Sequence, residues 1–117
     1  MAMFDRKILN ERFIISTTEI AQDAGLAILQ IYNSDFDYKL KKDFSPITEA
    51  DNIAHKIITE RLKILTPKIP IISEENSEVP YEIRSRWEKY WLVDPLDGTK
   101  EFIKKNGEFT TNIALIF

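Results

Sequence analysis

The chain has 117 residues, with 16 lysines and arginines against 19 aspartates and glutamates and a formal net charge of −3. That is one domain's length, and an acidic balance argues against a nucleic-acid surface, which needs a basic patch. There is no cysteine, so disulfides and thiolate chemistry are excluded and a reducing compartment fits. No apolar run approaches the roughly 18 residues of a membrane span, and the charged stretch from Met1 to Arg12 lacks a signal-peptide core. The expectation is a cytoplasmic protein.

Residues 4 to 32 read as one long helix. Ile20, Ala24, Ala27, Ile28 and Ile31 recur at helical spacing, Gly25 permits close packing, and Asn33-Ser34-Asp35 supplies turn formers that stop the helix. Phe36 to Lys41 alternates, with Phe36, Tyr38 and Leu40 on one side, as in a short half-buried strand; Lys42 to Pro46 breaks it. A second helix is predicted over 48–65, opened by Thr48-Glu49-Ala50-Asp51 at capping-box spacing and striped by Ile53, Ile57, Ile58, Leu62 and Leu65. Pro67 and Pro70 close it. Ile69 to Ser73 reads as a strand running into Glu74-Glu75, Tyr81 to Glu88 as one or two helical turns, Tyr90 to Asp94 as a buried strand, 99–104 as a helical turn and Phe109 to Phe117 as a strong strand. This is an α/β pattern. An apolar strand with nothing after it leaves an open sheet edge, and too few elements follow to cover both faces. The chain is therefore expected to be the front portion of a larger fold, prone to self-association.

The chemistry gathers at Trp91-Leu92-Val93-Asp94-Pro95-Leu96-Asp97-Gly98-Thr99. A strand ending in a carboxylate presents it at the carboxyl edge of the sheet, where α/β proteins build their sites. Asp94, Asp97 and the Leu96 carbonyl are hard oxygen donors of the kind Mg²⁺ takes. Gly98 allows close backbone approach, and Thr99 and Lys100 begin a helix whose free N–H groups can hold a phosphate oxygen. The same residues also suit an ordinary proline turn followed by a helix cap. Ser73-Glu74-Glu75 is a second strand ending in acids, which suggests one shared cation, although paired glutamates also suit a solvated loop. Asp51 is either a further carboxylate near that cation or a helix cap, and both roles are compatible. Lys41 and Lys42 are candidates to steer a phosphate. His55 has no partner histidine or cysteine and reads as structural, as do Trp87 and Trp91. Acids without cysteine or paired histidine favour Mg²⁺ over Zn²⁺. No residue reads as a covalent nucleophile, so attack by water on a phosphate ester is preferred.

Four segments carry a resemblance: Lys41 to Asp51, Ser73-Glu74-Glu75, Trp91 to Phe102, and Asn106 to Leu115. In order and spacing they resemble the inositol monophosphatase superfamily, and within it the bacterial 3'(2'),5'-bisphosphate nucleotidases; Lys100-Glu101-Phe102-Ile103 and Asn106-Gly107-Glu108-Phe109 point to that branch. The resemblance implies a layered α/β sandwich and Mg²⁺-dependent removal of the 3'-phosphate of adenosine 3',5'-bisphosphate, with inositol monophosphatase as the related alternative. It implies Glu74, Asp94, the Leu96 carbonyl and Asp97 as ligands of two or three Mg²⁺ ions in the intact site. Thr99 with Glu74 would orient the attacking water, Asp51 would serve the outer metal and water network, the backbone of Gly98 and Thr99 would hold the phosphate, and Lys41 would steer it. Members run to roughly twice this length, and their distal half carries a further metal-binding aspartate and the base pocket. A fragment without catalysis is the alternative from a different class. Thr111 stands where relatives more often have an apolar residue.

Overall fold

The computed structural model describes residues 10–41, 46–75 and 79–117. The first helix, α1 (Glu11–Tyr32), starts where the Asn10 side chain accepts from the Phe13 N–H and stops at the Asn33 cap; the expected residues 4–9 of that helix lie outside the described residues. Ile20, Ala24 and Ile28 form its buried stripe. Gly25 does not serve close packing as expected: a Cβ built there meets nothing within 4 Å.

The predicted ribbon is shorter than expected and more exposed. Strands β1 (Tyr38–Leu40) and β2 (Pro46–Thr48) form a two-stranded antiparallel sheet of their own, and Tyr38 and Leu40 are 53% and 58% exposed rather than half-buried. All three residues of β1 stay exposed, so alternation alone does not place a face in a core. Only Phe36 reaches inward, its ring centroid 4.8 Å from that of Phe102. Pro46, expected within the break, begins β2 instead, a position where its missing N–H costs no ladder bond. Residues 42–45 of the expected break, including Lys42, lie outside the described residues.

Helix α2 (Glu49–Leu65) opens on Thr48 with a complete capping box: the Thr48 side chain accepts from the Asp51 N–H, and the Asp51 side chain accepts from the Thr48 N–H. Asp thus serves the place that Glu or Gln usually takes. Strand β3 (Ile71–Ser73), the short helix α3 (Tyr81–Arg84), strand β4 (Tyr90–Asp97), the short helix α4 (Thr99–Ile103) and strand β5 (Thr110–Ile116) complete the chain. The second sheet has the order β3-β4-β5, parallel between the first pair and antiparallel between the second. Helices α1 and α2 cover one of its faces. There Trp91, Val93, Leu96 and Phe102 pack with Ile20, Ile28, Ile58 and Leu62, each no more than 3% exposed. The result is a mixed α/β fold, as expected. Among the described residues no helix is long and apolar enough to cross a membrane.

Two features of this sheet position the site. Because β3 and β4 run parallel with Ser73 level with Val93, their carboxyl ends bring Glu74 and Asp94 out side by side. And β4 does not stop at Asp94 as expected. It continues to Asp97 through a register shift against β5, pairing Asp94 with Asn112 and Asp97 with Thr110. Such a bulge crowds extra residues onto one strand and re-aims their side chains. Pro95 falls inside it, where no ladder N–H is needed, and the carbonyl of Pro95 accepts from the Thr111 hydroxyl at 2.9 Å.

Candidate functional site

A cleft of about 300 Å³ opens at this corner, lined by Lys41, Glu74, Glu75, Asp94, Leu96, Asp97, Gly98, Thr99, Lys100 and Glu101. Of the residues singled out in the sequence, Glu74, Asp94, Leu96, Asp97, Gly98, Thr99 and Lys41 all reach it. Asp51 does not line it, and acts from behind.

Asp51 is fully buried, yet each of its oxygens is satisfied. Oδ2 accepts from the Thr48 N–H and the Thr48 hydroxyl, both at 2.7 Å. Oδ1 accepts from the Thr99 hydroxyl at 2.9 Å. The Thr99 hydroxyl also lies 3.3 Å from the Leu96 carbonyl, but its single proton goes to the nearer, charged acceptor. The lone pairs of Thr99 Oγ1 are thereby left to accept a hydrogen bond at the cleft wall. The capping and site roles considered for Asp51 are thus compatible: one oxygen starts the helix and the other fixes Thr99.

Gly98 joins the bulge to α4 with φ +93°, and a Cβ there would lie 2.7 Å from the Glu108 carbonyl oxygen. Both the left-handed backbone and the close approach require glycine. The first N–H groups of α4 have no intrahelical partner and sit beside the cleft.

The electrostatics are those of crowded acids. Five carboxylates and two lysines line the cleft. The Asp94 carboxyl is pushed up to about 6, first by partial burial and then by Asp97, Glu74, Glu75 and Asp51 around it. Burial raises Glu75 as well, against the opposing pull of Lys41. Lys41 spans from the end of β1 to Glu75, 3.1 Å away. Burial alone would lower its ammonium pKa, but the bond to Glu75 and the fields of Asp51 and Glu74 raise it. Lys41 is therefore a bound partner of the acidic wall before it is a free phosphate contact. Two further residues, given no site role in the sequence reading, brace the corner. The Asn112 side chain donates to Asp97 at 3.4 Å, and Thr111 holds Pro95. The Asp94–Asn112 pairing of β4 and β5 is what brings both within reach, and no local sequence signal carries it.

A cleft of this charge repels a phosphate ester unless a cation intervenes. Hard oxygen donors are what a divalent cation such as Mg²⁺ selects, so the residue types fit one. Among the described residues, however, no three acidic or histidine side chains are already gathered closely enough to hold an ion.

The sequence model described as the inositol monophosphatase family matches residues 9–117. The chain belongs to this family. The 3'(2'),5'-bisphosphate nucleotidase CysQ of Salmonella typhimurium is 56% identical over 100 residues, covering 84% of this chain and 40% of that protein. CysQ of Escherichia coli K12 is 54% identical over the same shares. Among solved structures, CysQ from Bacteroides thetaiotaomicron superposes with a TM-score of 0.70 at 45% identity, over 87% of this chain and 36% of that one. The extragenic suppressor protein SuhB from Bartonella henselae superposes with a TM-score of 0.77 at 29% identity, over 90% of this chain and 40% of that one. The chain spans about 40% of the length of the curated relatives it matches.

Proposed function

We propose that this chain carries the cation- and phosphate-binding corner of a Mg²⁺-dependent phosphatase that converts adenosine 3',5'-bisphosphate to AMP and phosphate. The observation that carries the reading is the Asp51–Thr99 hydrogen bond at 2.9 Å, set beside a cleft whose other walls are Glu74, Asp94 and Asp97. It is a fixed acceptor facing a set of hard donors. The bisphosphate substrate follows from the named activity of the CysQ relatives.

In this reading Glu74, Asp94, the Leu96 carbonyl and Asp97 would hold Mg²⁺, two or three ions in the intact site. The cation supplies neutralisation of the phosphoryl oxygens and a more acidic water. Thr99 Oγ1, its own proton committed to Asp51, accepts a hydrogen bond from the attacking water, and Glu74 accepts the second. The water oxygen bonds to phosphorus as the bond to the 3'-oxygen breaks. One water proton passes to the Glu74 carboxylate, and the leaving 3'-oxygen takes a proton from solvent water, so the net reaction is ester plus water giving alcohol plus phosphate. The backbone N–H groups at Gly98 and Thr99 hold the phosphoryl oxygens, and Lys41 offsets the acidic wall through Glu75.

Phosphate release from adenosine 3',5'-bisphosphate and from inositol 1-phosphate, each with and without Mg²⁺, tests the proposal. Faster Mg²⁺-dependent release from the bisphosphate supports it. A strong preference for the inositol ester would move the chain to the inositol monophosphatase reading, which the matching family model also accommodates. No release from either would favour a second reading, a chain that binds cation weakly and does not turn over. That reading draws on the carboxylates lying in one cleft without being gathered.

A further inference from the structure

Ser73, the last residue of β3, is 1% exposed. Its Oγ lies 2.8 Å from His55 Nδ1 on α2 and accepts from the Glu75 N–H at 3.3 Å. A hydroxyl has one proton and two lone pairs. The Glu75 N–H takes one lone pair. Among the described residues the Ser73 hydroxyl has no other acceptor, so were Nδ1 also protonated and donating, the hydroxyl proton would be left in a buried place without one, which native structures avoid. The arrangement is complete only if Ser73 donates to a bare Nδ1, leaving the imidazole proton on Nε2. Burial, followed by the charge of Lys63, lowers the His55 pKa, which agrees with a neutral ring.

We propose that His55 is a positioning residue for the acidic corner: it accepts the Ser73 hydroxyl proton at Nδ1, and the orientation this gives Ser73 anchors the turn that presents Glu74 and Glu75. The functional half of this statement rests on Glu74 being a cation ligand; the structural half rests on the hydrogen bonds alone. Among the described residues, two hydrogen bonds hold the backbone N–H groups of this turn. The Glu74 N–H is held by the Val93 carbonyl at 3.0 Å, which fastens it to β4. The Glu75 N–H is held by Ser73, which His55 controls. Releasing the second tie frees the backbone between Glu74 and the Glu75 carboxylate, whose side chain is 5% exposed and paired with Lys41. The His55–Ser73 pair is no nucleophilic dyad, because the hydroxyl is buried and one of its lone pairs is occupied by the Glu75 N–H.

The test uses the metal-free chain first. Long-range nitrogen–proton NMR of His55 is expected to show Nδ1 unprotonated and Nε2 protonated. In His55→Ala, amide exchange at Glu75 is expected to speed about tenfold, the scale of one hydrogen bond, while exchange at Glu74 and in α2 is unchanged. His55→Asn, whose Oδ1 can occupy the place of Nδ1, is expected to restore protection. A protonated Nδ1, or equal acceleration at Glu74 and Glu75, would overturn the proposal. Mn²⁺ titration followed by electron paramagnetic resonance then reads the consequence. His55→Ala is expected to weaken binding about three- to tenfold, at or below the lower end for loss of an outer partner of a ligand, and His55→Asn to recover it. Wild-type chain that binds no Mn²⁺ would sink the cation site and with it the functional half, while the exchange data still decide the structural half. Unchanged Mn²⁺ affinity with a loosened Glu75 would refute the positioning role.

Discussion

Replacing Asp94 by Asn removes a charge from a cleft that already holds too many of one sign. The Asp94 carboxyl rises from 3.8 to about 6 on folding. The folded chain therefore binds a proton more readily than the unfolded chain. Stability contributed by this group is highest below 3.8, falls as pH rises through the window to about 6, and stays at its low plateau above. A rise of roughly two units corresponds to about 3 kcal/mol at full strength, and solvent at this half-buried site screens it to about 1 kcal/mol. Asp94→Asn is accordingly expected to stabilise the metal-free chain by about 1 kcal/mol at pH 8, equivalent to about 5 °C in midpoint, and to change little at pH 4. Urea unfolding at the two pH values with a chelator present measures this. Added Mg²⁺ is expected to reverse the ranking, because ligand binding stabilises only the chain that holds it. A gain of the same size at pH 4 and pH 8, or a loss at pH 8, would refute the idea that burial and acid crowding together disfavour the Asp94 carboxylate in this corner.

Gly98→Ala places a Cβ 2.7 Å from the Glu108 carbonyl at a φ of +93°. It is expected to cost at least about 1–2 kcal/mol from the backbone conformation alone, read as a lower urea midpoint, and to lower phosphate release by shifting α4. Thr99→Val keeps the volume and removes the donor to Asp51. It is expected to abolish most Mg²⁺-dependent phosphate release and to cost about 1–3 kcal/mol in stability, since Asp51 Oδ1 is left buried without its partner. Thr99→Ser is expected to restore both, and a fully active Thr99→Val chain would remove Thr99 from the reaction.

Much of the acidic corner was legible because apolar runs that end in carboxylates mark strand ends. Ile69 to Ser73 and Tyr90 to Val93 announced both strands and the acids after them. The motif order from Lys41 to Leu115 carried the family. What the residues did not reveal depends on pairing. The parallel register of Ser73 with Val93, which sets Glu74 beside Asp94, is a tertiary fact. So is the bulge that carries β4 past Pro95, a residue that also suited an ordinary proline turn. The alternation in Phe36 to Lys41 promised a buried face, but among the described residues β1 pairs with β2 alone, and Tyr38 and Leu40 stay in solvent. His55 read as solitary because Ser73 lies 18 residues away. Asp51 was legible as a cap, while its second oxygen, 48 residues from Thr99 in sequence, was not.

The most direct test of the corner is calorimetric titration of the chain with Mg²⁺, and with Mn²⁺ as its reporter, against Asp97→Asn. Binding to the wild-type chain that weakens at least about tenfold in Asp97→Asn, the scale expected when a ligand-set residue is altered, is the predicted result. Equal binding by the two chains, or none by the wild type, would contradict a cation site built from Glu74, Asp94 and Asp97.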